Sequence, residues 1–228
     1  MDVKIKSDPL LSEVNRICES LVGVEVHQVM MVTFPHSDVP TIIENNNNKL
    51  NGNMIEKLVF HQLSEKMGDK FRQGEKNSPP DFYLGEFEYE IKAYGKSPGF
   101  DVANYSSYID QLCENLERKL LMTKYIIFNY SCFSDESFVI NNFQIVPIWK
   151  LLNYKNKYPI SVQVKRRSWY NIRPDTCPKR WTCDSKTITL FIKQILLSIE
   201  SCSLCKDREE KIEKIKKQYE ILLRKYTI

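Results

Sequence analysis

Two acids and a lysine, Asp81, Glu90 and Lys92, form a short pattern that is suited to metal-assisted catalysis. Asp81 follows two prolines, and one residue separates Glu90 from Lys92. Two strands joined at Leu84-Gly85 would bring Asp81 close to Glu90, and strand alternation puts Glu90 and Lys92 on one face. Two carboxylates at the end of a bent hairpin can hold Mg²⁺. A lysine beside them can orient a water molecule and offset negative charge developing on a phosphate.

The same hairpin has a second interpretation, in which its outer face is a solvated surface. Glu86 and Glu88 lie on the predicted face of Glu90 and Lys92, while the apolar residues Phe87, Tyr89 and Ile91 point to a core. Three acids on one strand face repel one another, which favours a bound cation. A surface strand also tolerates such a face, so both interpretations stay open.

The motif Pro80-Asp81 followed by Glu90-x-Lys92 resembles the signature of the PD-(D/E)xK nuclease superfamily. With a length of 228 residues, the chain looks most similar to a type II restriction endonuclease of that superfamily. The resemblance implies an α/β fold, in which helices flank a central mixed β-sheet. It also implies Mg²⁺-dependent hydrolysis of double-stranded DNA at a short specific sequence by a homodimer. Asp81, Glu90 and the main-chain carbonyl of Ile91 would then hold the metal.

Glu56 has two predicted roles. The spacing of Ile55, Leu58, Val59 and Leu63 predicts a helix from Met54 to Met67, with Asn53 as its N-cap. Glu56 follows Asn53 by three residues and completes a capping-box pattern. By the resemblance, Glu56 could instead be an additional acid that reaches the metal from the helix preceding the hairpin.

Positive charge is concentrated between residues 150 and 186. This segment has ten Lys or Arg and two Asp, a net charge of +8, which leaves −4 for the rest of a chain whose total is +4. Such a distribution indicates a polyanion-facing surface. Arg, Lys and Asn side chains can contact base edges or phosphates. The predicted DNA-binding residues are Lys165, Arg166, Arg167, Asn171 and Arg173. A basic structural loop is the alternative, and Trp169 and Tyr170 fit either DNA contact or core packing.

The order of elements agrees with the predicted core. The hairpin is followed by a helix starting at Ser106 or Ser107 and ending near Leu121, and then by a buried strand from Thr123 to Tyr130. A mixed sheet with a crossover helix has this order. We therefore expect residues 1–228 to form a single nuclease domain, with residues 54–130 as the catalytic core and residues 150–186 as the recognition segment.

Composition restricts the remaining possibilities. No apolar run approaches the roughly 20 residues of a membrane helix, and the N-terminus lacks the apolar core of a secretory signal, so we expect a cytoplasmic protein without membrane contact. An odd number of cysteines, seven, indicates reduced thiols, although Cys177, Cys183, Cys202 and Cys205 could form a zinc site. The alternatives for function are a structure-specific repair or recombination nuclease, a non-catalytic DNA-binding protein, and an interaction protein that binds no nucleic acid.

Overall fold

The sheet that carries the predicted hairpin has six strands. The computed structural model describes residues 3, 7–27, 30–32, 41–43, 48–75, 78–132, 137–154, 157–165 and 168–226, and the side chains of 30–32, 41–43 and 48–50 are not part of the description. The strands are β1 (Glu25–His27), β2 (Met30–Val32), β3 (Thr41–Ile43), β4 (Phe71–Gln73), β5 (Phe82–Leu84), β6 (Phe87–Tyr94), β7 (Ala103–Asn104), β8 (Thr123–Cys132), β9 (Ser137–Val146), β10 (Val162–Lys165) and β11 (Ser168–Ile172). The six-stranded sheet has the order β1-β9-β8-β6-β5-β4.

Both faces of this sheet are covered by helices. The helices are α1 (Leu11–Leu21), α2 (Asn48–Met67), α3 (Tyr105–Glu114), α4 (Ile148–Leu151), α5 (Ile188–Ser201) and α6 (Arg208–Tyr226). The apolar residues of α1 and α2 form one core with Tyr89, Ile91 and Ile126, whereas α3, α5 and α6 share the other core with Tyr125 and Ile127. Helices on both faces explain why β6 is buried without interruption from Phe87 to Ile91, and β8 from Tyr125 to Phe128.

β6 and β8 are parallel, and every other strand pair in this sheet is antiparallel. The parallel pair requires a crossover, which α3 and the π-helical turn Arg118–Met122 provide. The predicted mixed sheet flanked by helices is therefore confirmed.

Several predicted boundaries are wrong. The helix predicted to start at Met54 begins earlier, at Asn48. Asn53 is therefore an interior helix residue and not an N-cap. The third helix is capped by Asn104, whose Oδ1 accepts a hydrogen bond from Ser107 N at 3.1 Å, and it ends at Glu114, not near Leu121. Asn104 precedes both predicted caps because β7 ends there.

The basic segment contains an antiparallel hairpin of β10 and β11, and β11 also pairs with β7 in a second sheet of three strands. Trp169 on β11 is buried against Tyr105 and Tyr158, with ring centroids 5.1 and 5.3 Å apart, whereas Tyr170 is exposed. Trp169 is thus a core residue, and packing of this one ring orients the strand after the basic run.

Candidate active site

The carboxylate of Asp81 is fixed where the pairing of β5 and β6 ends. Leu84 pairs with Phe87 across a two-residue turn whose first residue, Gly85, has φ +59°, as in a type II′ hairpin. Asp81 N donates to Tyr89 O at 3.0 Å. Asp81 Oδ2 then accepts a hydrogen bond from Ile91 N at 2.5 Å. A side-chain oxygen thus takes the place of a strand carbonyl and draws the Asp81 carboxylate to the strand that carries Glu90 and Lys92.

Packing beneath the hairpin holds this geometry from both sides. The rings of Phe82 and Tyr89 are stacked, with centroids 4.8 Å apart and planes 2° from parallel. Tyr89 OH donates to the buried carboxylate of Asp8, which Lys124 Nζ also contacts at 2.6 Å. Because Tyr89 is the residue between Glu88 and Glu90, these contacts fix the position of the strand next to the predicted catalytic residues.

Gly74 is needed for the approach to Asp81. Its N–H donates to Asp81 O at 2.8 Å. A Cβ atom at this position would lie 1.8 Å from Pro80 O, so no other residue fits without a backbone shift. A glycine shortly before Pro79-Pro80 is visible in the sequence. Its role depends on the contact of Gly74 with Pro80 and Asp81, which only the folded chain shows.

Glu90 and Lys92 form a mostly buried pair on the face of β6 that is turned toward α3. Lys92 Nζ donates to Glu90 Oε2 at 3.1 Å. Burial raises the pKa of Glu90 to about 6; Lys92 opposes this shift and the Asp81 charge adds to it. Burial alone would lower the pKa of Lys92, but the carboxylates of Glu90, Asp81 and Glu56 outweigh it and raise that pKa. The ammonium group of Lys92 is therefore protonated at neutral pH.

Glu88 is not on a solvated face. Its carboxylate is buried and lies 2.6 Å from Arg118 Nε and 2.9 Å from Lys119 Nζ, and it accepts a hydrogen bond from Thr123 Oγ1 at 2.8 Å. Burial alone would raise the Glu88 pKa, but Lys119, Thr123 and Arg118 outweigh it and lower that pKa. The solvated-hairpin interpretation is therefore wrong for Glu88 and Glu90, which are 3% and 6% exposed, whereas Glu86 is exposed.

Glu56 projects from α2 into the same site. A cavity of about 900 Å³ is lined by Glu56, Asp81, Glu90 and Lys92, and Lys119 contributes to its wall. A second cavity, of about 1080 Å³, also contains Glu56, Asp81 and Lys92. Burial raises the pKa of Glu56, and the charge of Asp81 adds to this effect. The capping-box role is wrong because Asn53 is inside the helix.

Within the described residues, no group of three or more His, Cys, Asp or Glu side chains is arranged to hold a metal ion. The donor set nevertheless fits Mg²⁺, which keeps several water ligands and needs only one or two carboxylates together with substrate phosphate. Asp81 and Glu90 would supply those carboxylates, and the adjoining cavity has space for water. Burial is the main cause of the raised pKa values of Glu56 and Glu90, and the charge of Asp81 adds to both shifts.

Comparison with known proteins identifies the family. The NlaIV restriction endonuclease has a similar structure, with a TM-score of 0.73 and 21% identity over 96% of this chain and 88% of that one. The type II restriction enzyme NlaIV of Neisseria lactamica is 29% identical over 103 residues, which are 42% of this chain and 42% of the relative. The family model described as NgoBV restriction endonuclease matches residues 14–226. The chain belongs to the NgoBV restriction endonuclease family.

Membership in the NgoBV restriction endonuclease family confirms the predicted resemblance to type II restriction endonucleases. The structural similarity independently confirms the restriction-endonuclease-like fold. The sequence match with the Neisseria lactamica enzyme spans less than half of that protein's length. Among the described residues of this family member, no helix combines the length and apolarity needed to cross a bilayer.

The predicted DNA-binding residues of this NgoBV-family chain have different environments. Lys165 is exposed near the end of β10, with Nζ 4.4 Å from the centroid of the Tyr170 ring. Asn171 lies on β11 and pairs with Gln163 of β10 on one side and with Asn104 of β7 on the other. The guanidinium of Arg173 contacts Asp101 and the carbonyl of Gly99. Arg166 and Arg167 lie outside the described residues.

Several cationic side chains of the basic segment are paired with groups of the protein. The buried carboxylate of Asp175 lies 3.4 Å from Lys186 Nζ and 3.6 Å from Arg180 Nη1. Lys150 Nζ donates to Cys183 O at 2.7 Å. A count of basic residues in the sequence therefore overstates the charge that this segment presents to a polyanion.

The cysteines of the proposed zinc site do not form one. Cys177, Cys183, Cys202 and Cys205 are free, and the described part of the chain contains no metal-holding group that includes them. Sequence reasoning also missed Lys119 and Thr123, which reach the cavity wall from the crossover and the start of β8. Only the parallel pairing of Glu88 with Thr123 brings them next to the hairpin.

Proposed function

We propose that this protein is a Mg²⁺-dependent type II restriction endonuclease that hydrolyses phosphodiester bonds of double-stranded DNA at a short specific sequence. The observation that carries the proposal is the hydrogen bond from Ile91 N to Asp81 Oδ2, which gathers Asp81, Glu90 and Lys92 at one end of the hairpin. Membership in a restriction endonuclease family supports the same activity.

The residues of the site have distinct roles in this reaction. Asp81 and Glu90, together with the carbonyl of Ile91, would hold Mg²⁺, and Glu56 would be an additional acid facing it. When bound, the metal lowers the pKa of water and offsets charge on the phosphate. In hydrolysis a water oxygen bonds to phosphorus, the bond to the leaving sugar oxygen breaks, and a proton passes from the water to that oxygen.

Lys92 acts in this mechanism as a cation and a hydrogen-bond donor, not as a base. Its raised pKa keeps the ammonium protonated at neutral pH, so it has no lone pair to accept a proton from water. A protonated lysine can orient the water oxygen and stabilise the additional charge of the five-coordinate phosphate. Its contact with Glu90 holds it beside the carboxylates before substrate binds.

The β10–β11 hairpin is the proposed DNA-binding element. Lys165 is exposed, and Asn171 lies on the strand next to β7, whose residues Ala103 and Asn104 line the catalytic cavity. Arg166 and Arg167 follow Lys165 in sequence and add two positive charges to this segment. Lysine and arginine contacts would act mainly on phosphates, and Asn171 is suited to an adenine edge.

We also propose that the enzyme acts as a homodimer in the cytoplasm. A duplex with two symmetric strands to cut requires two active sites, which a two-fold dimer provides. All seven cysteines are free, as expected for thiols in a reducing compartment. Sedimentation of the protein with a cognate duplex would measure the stoichiometry, and one protomer per cleaved duplex would contradict the dimer.

The decisive experiment is digestion of unmethylated plasmid and phage DNA with Mg²⁺ or with EDTA. We expect discrete fragments with Mg²⁺ and no cutting with EDTA. Lys92→Ala and Asp81→Asn should lower the cleavage rate at least 100-fold, whereas Lys66→Ala, on the exposed surface of α2, should cut as the wild type does. Wild-type rates in either site variant would refute the assignment of that residue.

The same assay distinguishes the alternatives. Cutting restricted to branched substrates would indicate a structure-specific nuclease. DNA binding that needs no divalent ion, without nicks under any metal, would indicate a non-catalytic DNA-binding protein. Absence of salt-dependent DNA affinity would indicate an interaction protein that does not bind nucleic acid.

A further inference from the structure

The side chain of Arg173 forms an ion pair and a hydrogen bond with the loop that follows the catalytic strand β6. Its Nη2 lies 2.9 Å from Asp101 Oδ1, and its Nη1 donates to the carbonyl oxygen of Gly99. Its backbone N–H donates to Ser161 O at 2.9 Å, at the base of the β10–β11 hairpin. One side chain therefore connects the hairpin with a loop that starts a few residues after Lys92.

That loop is also a wall of the catalytic cavity. Asp101, Val102, Ala103 and Asn104 line the cavity that contains Asp81, Glu90 and Lys92. Gly99 lines the second cavity, which shares Asp81 and Lys92 with the first. A displacement of residues 99–104 would therefore change the shape of the site on the side opposite α2.

The wall is hydrogen-bonded to β11 along its length. Val102 N donates to Ile172 O at 2.9 Å, and Ala103 and Asn104 pair with Ile172 and Asn171. Asn104 Nδ2 donates to Tyr170 O at 3.2 Å, while its Oδ1 caps α3. The hairpin, the cavity wall and the start of α3 thus form one connected unit.

We propose that Arg173 is a positioning residue that sets the cavity wall, through Asp101 and Gly99, relative to the DNA-binding hairpin. This inference rests on the proposed function. DNA seated on β10 and β11 then aligns the wall with the scissile phosphate, so recognition and cleavage are coupled. The guanidinium bridges two acceptors on the loop, a geometry that its planar fork allows and a lysine ammonium does not reproduce.

The proposal differs measurably from a role of Arg173 as a DNA contact. We would measure single-turnover cleavage at saturating DNA, and DNA affinity in EDTA over a range of salt concentrations, for Arg173→Gln, Asp101→Asn and the double variant. We expect each single variant to cleave about tenfold to 100-fold more slowly, because small misplacements at a reacting centre have effects of this size. The double variant should cleave no more slowly than Arg173→Gln, because the contact with Asp101 is already lost when the guanidinium is removed.

DNA affinity and its salt dependence should change little in these variants. Arg173→Lys keeps the charge and should remain slow in cleavage. Arg224→Gln, on the exposed face of α6, removes the same charge and serves as the control. The proposal is overturned if Arg173→Gln lowers the slope of log DNA affinity against log salt concentration by about one unit, as loss of a phosphate contact would. Wild-type cleavage by Arg173→Lys, or by Asp101→Asn, would overturn it as well.

Hydrogen exchange tests the coupling without any cleavage. The amides of residues 99–104, and Val102 in particular, should exchange faster in Arg173→Gln and in Asp101→Asn, while β8 stays protected. Unchanged exchange of this loop would overturn the proposed bridge. If the wild-type protein cuts no DNA, the proposed function fails, and with it the role in cleavage, whereas the exchange result still decides whether Arg173 holds the loop.

Discussion

Replacing Glu88 with glutamine tests directly whether the hairpin face is buried. The Glu88 carboxylate contacts Arg118, Lys119 and Thr123, and its side chain is 4% exposed. Lys119, whose side chain is 13% exposed, would lose its charged partner. Removing one member of a buried pair destabilises a protein by about 3–5 kcal/mol. Arg118 is 43% exposed and regains water, so we expect about 3 kcal/mol.

Thermal unfolding followed by circular dichroism measures this loss. For a chain of this size, each 1 kcal/mol shifts Tm by about 2–4 °C, so Glu88→Gln should lower Tm by roughly 6–12 °C at pH 7. Glu86→Gln, at an exposed position in the same hairpin, makes the same change in charge and should shift Tm by no more than about 2 °C. A Glu88→Gln variant as stable as the Glu86→Gln control would refute the buried arrangement.

The pH dependence gives the same prediction an internal check. Because the folded-state pKa of Glu88 is lowered, its contribution to stability is present above the pKa of the unfolded carboxyl, about 4.3, and disappears as the pH falls through the folded-state pKa. The Tm difference between the wild type and Glu88→Gln should therefore be full at pH 7 and shrink below about pH 4. A difference that stays constant on acidification would contradict the assigned ion pairs.

Three further predictions concern the site. Gly74→Ala should abolish DNA cleavage and lower Tm, because its Cβ would meet a backbone oxygen at 1.8 Å. The control is Gly52→Ala in α2, whose Cβ meets nothing within 4 Å, so its Tm should equal or exceed that of the wild type. Glu56→Gln should weaken Mg²⁺ binding about tenfold in calorimetric titration, with Tm nearly unchanged. Glu65→Gln on the same helix is the control, and equal Mg²⁺ affinities in the two variants would count against the role of Glu56. With the Glu90 pKa at about 6, apparent Mg²⁺ affinity should fall about tenfold from pH 7 to pH 5, whereas a carboxyl at the ordinary 4.5 would give less than twofold.

The hairpin and the helices were readable because their signals are local. Alternation along Phe87–Lys92 predicted which residues face the core, and Tyr89 and Ile91 do lie in the core beneath α1 and α2. The apolar stripes of α1, α2, α5 and α6 are likewise periodic patterns within one element. Ile215 and Leu222 of α6 are buried, so this helix packs on the body of the protein.

Errors arose where a local signal competed with a contact distant in sequence. Asn53 and Glu56 match the capping box in residue type and spacing, but α2 begins earlier, at Asn48, and Asn51 ahead of the predicted cap is buried. The basic run before Ser168 hid β11, whose strand character depends on pairing with β7 and β10. Propensity and periodicity contain no information about such distant partners.

The order of residues specifies the chemistry available to this protein: two acids and a lysine, Asp81, Glu90 and Lys92, on a hairpin followed by a crossover helix. The environment of those groups depends on the folded chain. The acidic face of β6 is buried between two helical layers. There, Arg118 and Lys119 compensate the negative charge of Glu88, and burial raises the pKa of Glu90. The fold also directs Arg173 to the cavity wall. The physical reason is that side-chain identity is local, whereas desolvation and ion pairing depend on which distant segments pack together.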